Sequence, residues 1–212
     1  MKINLFNFES YWSKEELKIF KGLNSPYKIQ LFLDSLKYSD EYIYRSPKSV
    51  MRDRKAHCFD GGIFAAAALR RLGYPPVIID MIADRDDDHV ITIYKKDGYF
   101  GSIAKSNFSG LRFREPIYKN YRELVLSYFD AYYNLNKEKT LRGYIIPLGL
   151  SRFDKYNWMS DDKGMDEIEK VLNTRKVVKI FTRKMIKNFS PVDERTYQSG
   201  LMGANMNGLY KP

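Results

Sequence analysis

The chain has 212 residues, of which 44% are hydrophobic, 15% aromatic and 29% charged, with a formal net charge of +10. That length and balance exclude a disordered or low-complexity chain and give room for one core-bearing domain. A single cysteine excludes an internal disulfide, and no run approaches the roughly 20 apolar residues of a membrane helix.

In chain order, Ser13 with Glu16 makes a capping box that starts a helix at Lys14. A second helix is predicted over 26–36, with Ile29, Leu31, Phe32 and Leu36. Tyr42 to Tyr44 and Ser46-Pro47 read as a loop leading into the most informative block. Residues 59–72, FDGGIFAAAALRRL, read as a buried helix stopped by Gly73. Pro75-Pro76 then turn the chain into a β-branched strand over 77–83. The acidic turn Arg85-Asp86-Asp87-Asp88 leads to a strand over 89–94, with His89, Ile91 and Ile93 on one face. Lys96-Asp97-Gly98 is a hairpin signal, and 99–104 a third strand. A helix is predicted over 121–134 on the spacing of Leu124, Tyr128 and Tyr132. Residues 141–158 read as irregular, 166–188 as one amphipathic helix with a basic face, and 199–212 as a loop rich in Gly and Asn. The expected fold class is α+β, one domain over 1–212, with 50–110 as its core and 111–212 as a mainly helical extension.

Cys58 stands where the buried helix begins. Free backbone N–H groups and the helix dipole stabilise a thiolate there, and Arg52, Arg54, Lys55 and His57 add positive charge nearby in sequence. A small buried core residue is the competing role for a lone cysteine. His89, one of two histidines, opens a strand and is placed to take a proton from a thiol on the packed helix. His57 is the competing base. Its side chain leaves the helix start in a different direction from that of Cys58, which makes it a local electrostatic contributor or plain surface.

The run AHCFDGGIFAAAALRRLGYPPVIIDM, then DHVITIY, then DGYFGSIAKSN, resembles the core of the transglutaminase-like superfamily over about residues 50–110. It also looks like an uncharacterised bacterial branch of that superfamily, in which blocks similar to SNFSGLRFREP and RELVLSYFDAYYN follow. The resemblance implies a papain-like transglutaminase core, with Cys58 as nucleophile and His89 as proton carrier. It implies acyl transfer or amide hydrolysis on a protein or peptide, with no cofactor. The family orients its histidine with an acid on the third strand, where this chain has Ala104. Asp97, Ser102 and Asn107 remain as alternatives. That departure opens a second reading, a transglutaminase-fold binding module that has lost its chemistry. A cysteine peptidase is the third.

The remaining motifs carry less. Asp84, Asp86, Asp87 and Asp88 lack the glycine and distal glutamate of a calcium loop and read as a solvated turn. The paired spacing of a zinc site is absent, and Gly61-Gly62 belongs to no phosphate loop. No nucleic-acid motif is present, although the basic balance favours acidic partners. A start carrying acids where a secretory signal needs an apolar run gives cytoplasmic as the expected location.

Overall fold

The structure, a computed structural model, describes residues 8–212. Ser13 caps α1 (Lys14–Gly22) through the expected reciprocal pair with Glu16. Ser25 caps α2 (Pro26–Asp34), and β1 (Lys37–Tyr38) follows. Ser46-Pro47, expected within a loop, opens a helix instead, α3 (Pro47–Asp53). The signal is local: serine at the cap with proline in the first turn is a helix start. β2 (Lys55–Ala56) pairs in parallel with β1 and delivers the chain to α4 (Cys58–Arg71).

Helix α4 ends in a Schellman motif. The Tyr74 amide reaches back to Leu69 O, and Gly73, at φ 91°, supplies the left-handed turn. The expected meander follows as β3 (Val77–Ala83), β4 (His89–Lys96) and β5 (Tyr99–Ile103). Asp97 and Gly98, both at positive φ, turn the hairpin between the last two.

The segment 111–212 does more than extend this core. It supplies β6 (Arg114–Tyr118), β7 (Leu141–Ile145), β8 (Leu148–Gly149) and β9 (Val177–Lys179) to one sheet ordered β6-β5-β4-β3-β7-β9, with β8 also on β3. All pairings in that sheet are antiparallel. Edge strand β6 tolerates Pro116, and the range expected to be irregular contains β7, whose Gly143 lets β9 approach. The single helix expected over 166–188 is instead α6 (Lys163–Thr174), then β9, then α7 (Arg183–Lys187). The β-branched pair Val177-Val178 finds the open edge of β7 before the helix can continue. The helix expected over 121–134 is shorter, α5 (Tyr121–Leu126), followed by a 3-10 turn over Phe129–Ala131. Helix α8 (Glu194–Gly200) precedes the last segment.

Two cores flank the sheet. On one face Ile78, Val90, Tyr94 and Ile103 meet α4, α2 and the N-terminal aromatics. On the other, Ile79, Met81, Ile91 and Ile93 meet Leu124, Tyr128 and Tyr132. Helix α4 is buried from Phe59 to Leu69, and each large side chain it buries contributes about 1.5–3 kcal/mol. No described helix is long and apolar enough to cross a membrane.

Glycine is required where α4 touches the sheet. A methyl on Gly61 would overlap the Cβ of Lys105, and one on Gly62 would lie 2.7 Å from Val90 Cγ1. Gly61→Ala gains about 1 kcal/mol of helix propensity against about 1–3 kcal/mol of overpacking, so a net loss is expected in urea unfolding. Gly149→Ala, at a site with open space and ordinary φ, serves as the neutral control.

Candidate active site

His57, extended in backbone, is the cap of α4. Its Nδ1 accepts from the Phe59 amide at 3.2 Å, and its Nε2 lies 3.2 Å from Ile43 O, to which it donates. Asp60 returns the cap by accepting from the His57 amide at 3.4 Å and takes the Arg45 amide at 2.8 Å. Burial pushes the Asp60 carboxyl up to about 7, although Arg45 stands 3.7 Å away, and lowers His57 to about 4. With both ring nitrogens engaged, His57 is a neutral structural cap, neither plain surface nor a base for its neighbour.

Cys58 is therefore the first residue of α4, half-buried. Its thiol donates to Asp88 O across 3.7 Å, and the Val90 amide faces the sulfur from the other side. The β1–β2 pairing brings up Tyr38, whose hydroxyl faces the Cys58 backbone N–H. Burial pushes the thiol up to about 12, and the charges of Asp80, Asp87 and Asp60 push the same way.

The basic residues expected to favour a thiolate are engaged elsewhere. Arg52 pairs with Asp53, Arg54 stacks on Phe32, and Lys55 pairs with Glu41. Proximity in sequence did not become proximity at the sulfur. Desolvation and carboxylates outweigh the helix N-terminus here.

His89 opens β4 opposite Met81 and is buried. Its Nε2 lies 2.8 Å from Leu111 O. A carbonyl only accepts, so Nε2 carries the proton and Nδ1 holds the lone pair. Tyr132 meets the ring edge-on at 6.3 Å and donates to Asp87 O at 2.8 Å, tying the histidine to the acidic turn. Burial lowers His89 to about 4.

Cys58 and His89 open onto one cavity of about 40 Å³, large enough for water and too small for a peptide. No hydrogen bond joins Sγ to the imidazole among the described residues; the thiol rests on the backbone flanking His89. Gly208, Leu209 and Tyr210 roof the cavity, and Leu209 is buried. This strap is anchored at Asn205, whose backbone exchanges two 2.7 Å hydrogen bonds with the Asn107 side chain and whose Nδ2 donates to Tyr38 O. A second cavity of about 670 Å³ also borders Cys58, with Tyr42, Tyr44, Asp80 and Glu169 in its wall.

The candidates for orienting the histidine are engaged elsewhere, although Asn107 borders the same cavity. Asp97 sits in the hairpin turn at the far end of β4. Ser102 Oγ is 2.7 Å from the Tyr128 hydroxyl, Asn107 holds the strap, and the Ala104 backbone exchanges two hydrogen bonds with the Gln30 side-chain amide. The Leu111 carbonyl takes the position instead, and a backbone group leaves no signal in sequence. Asp80 did leave one, as the only charged residue in the apolar run VIIDMIA.

The acidic turn is built rather than merely solvated. Asp86 accepts from Thr140, Asp88 from the Ala83 amide, and Asp84 pairs with Arg142. Among the described residues, no group of three His, Cys, Asp or Glu side chains could hold a metal ion.

No protein-family model matches the chain, and no curated protein matches it. Among solved structures, two of Legionella pneumophila LapG, one of them EGTA-treated, align with 50% of this chain at 14% identity and a TM-score of 0.34. They cover 70% of the EGTA-treated chain and 71% of the other. Likeness at that level assigns neither a family nor an activity.

His89 is neutral in the fold at about 4, against 6.5 for a free imidazole, so the unfolded chain binds more protons between those values. Its contribution is complete above pH 6.5 and is lost as pH falls toward 4. The native chain should lose about 2–3 kcal/mol relative to His89→Gln between pH 7.5 and 4.5, measured by urea unfolding of both at each pH. Parallel curves would show that His89 titrates normally.

Proposed function

We propose that the chain is a thiol enzyme of papain-like transglutaminase type, seen in a closed resting form, that transfers or hydrolyses acyl groups through Cys58 and His89. One observation carries the reading: a helix-start thiol and a histidine whose tautomer is fixed at Nε2, with no partner on Nδ1 among the described residues, open onto the same cavity. A helix bearing a cysteine at its start, packed on an antiparallel sheet, is the frame such chemistry uses.

In this reading the strap lifts, the thiol exchanges Asp88 O for Nδ1 of His89, and the proton of Sγ passes to that nitrogen. The sulfur attacks the substrate carbonyl, forming the S–C bond while the carbonyl π pair moves to oxygen. The Cys58 N–H, released from the Tyr38 oxygen that it faces, and the Tyr38 hydroxyl then donate to that oxyanion. Collapse breaks the bond to the leaving group, which takes the proton from His89. The resulting thioester is opened by water or an amine, whose proton returns through His89 to the sulfur.

A second reading, a binding module without chemistry, has its own observation in a buried thiol that donates to the backbone of the acidic turn at Asp88. The two separate on acylation by p-nitrophenyl acetate of the chain opened by Leu209→Asp, followed by intact mass. The enzyme reading expects one acetyl adduct on the opened chain, absent when Cys58→Ser is added and formed about 10²–10⁴ times more slowly when His89→Gln is added. An unmodified Leu209→Asp chain, or labelling indifferent to His89, would favour the binding module.

A further inference from the structure

The larger cavity beside Cys58 has an unusual charge for this protein. The chain is +10 overall, yet Asp40, Asp80, Asp87, Asp88 and Glu169 all border this one space. None of the five has an ion-pair partner among the described residues, whereas acids elsewhere, such as Asp154 and Asp130, do. The basic side chains in the wall do not answer them: His57 is the neutral cap, and Lys211 lies exposed without an ion pair to any of the five.

Asp80 is the second, independent observation. It lies on β3 directly across from Val90, the residue whose amide faces the Cys58 sulfur. The residue keeps a half-buried edge on the cavity, but its Oδ1 is closed off from solvent and has no hydrogen-bond partner. A buried carboxyl oxygen with nothing to accept from costs stability and is normally satisfied in a finished structure. A donor entering the cavity would complete it once the carboxyl turns toward the space that Asp80 borders. Tyr42, Tyr44 and Tyr210 also line this wall, and aromatic rings attract a cation and its alkyl stem.

We propose that this cavity receives an alkyl-stemmed cation, an ammonium or guanidinium group, with Asp80 as the acceptor at its floor. The cation enters as a basic side chain of a polypeptide bound across the thiol. The assignment of that polypeptide as substrate rests on the reading of Cys58 as a nucleophile; binding itself does not. Burial holds the Asp80 carboxyl up to about 8, so a cation beside it favours the ionised form, and recognition and the state of the thiol are coupled through Asp80.

The test is calorimetric and uses the full chain carrying Cys58→Ser, so that failed chemistry cannot be mistaken for failed recognition. The probes are the blocked tripeptides acetyl-Ala-Lys-Ala-amide and acetyl-Ala-norleucine-Ala-amide, with n-butylamine as the free cation. The expected result is binding of the lysyl peptide about tenfold or more tighter than its norleucine isostere, with that preference lost in Asp80→Asn. Glu169→Gln, on a different element, should weaken the preference and guards against a folding defect in the first variant. Binding of n-butylamine as tightly as the lysyl peptide supports the cation site and assigns it to a free amine. Equal affinity for the two peptides, no binding of either, or a preference that survives both substitutions would overturn the proposal.

Discussion

The close approach of α4 to β4 is the constraint on which the rest depends. Gly61 and Gly62 remove the side chains that would hold them apart, and the Thr92 hydroxyl donates to Gly62 O across the gap. The approach is locked at the helix start by Asp60, buried with Arg45 and the His57 amide. With both fixed, the first residue of the helix has one place to put its side chain: against the backbone at Asp88 and Val90, where the acidic turn enters β4. The thiol, the histidine between those residues and the carboxyl opposite them are all consequences of that contact.

The electrostatics then run against the usual argument for a cysteine at a helix start. The dipole favours a thiolate by something like 1 kcal/mol. Burial and three carboxylates push the other way and win, holding the thiol up to about 12. The strap over 205–210 adds to this by closing the smaller cavity, with Asn107 spent on holding it rather than on orienting His89. A protonated sulfur under a cover is what a resting enzyme needs if its nucleophile is to stay unreactive. It is also what an inert domain would show, and reactivity separates the two.

The sequence made the centre of this fold readable because its signals are local. The helix from Cys58, its stop at Gly73, the three-strand meander and the Asp97-Gly98 turn each follow from spacing or backbone preference within a few residues. The sheet beyond β5 was not readable. Strands β7 and β9 are short, one contains a glycine, and they exist because β3 offers an edge to β7 and β7 in turn to β9. The site divided the same way. Cys58 and His89 are visible as residue types in a pattern. The Leu111 carbonyl, the Tyr38 hydroxyl and the Asn205 anchor meet them only through tertiary contacts.

The most direct measurement is the rate of Cys58 alkylation by iodoacetamide against pH, in the native chain, in Leu209→Asp and in Leu209→Asp with His89→Ala. A closed thiol centre predicts slow alkylation of the native chain through neutral pH. It predicts a faster rate with a lower apparent pKa when Leu209 no longer covers the cavity, and loss of that shift when His89 is removed. The same slow, unshifted profile in all three proteins would contradict the account and leave Cys58 as a buried structural thiol.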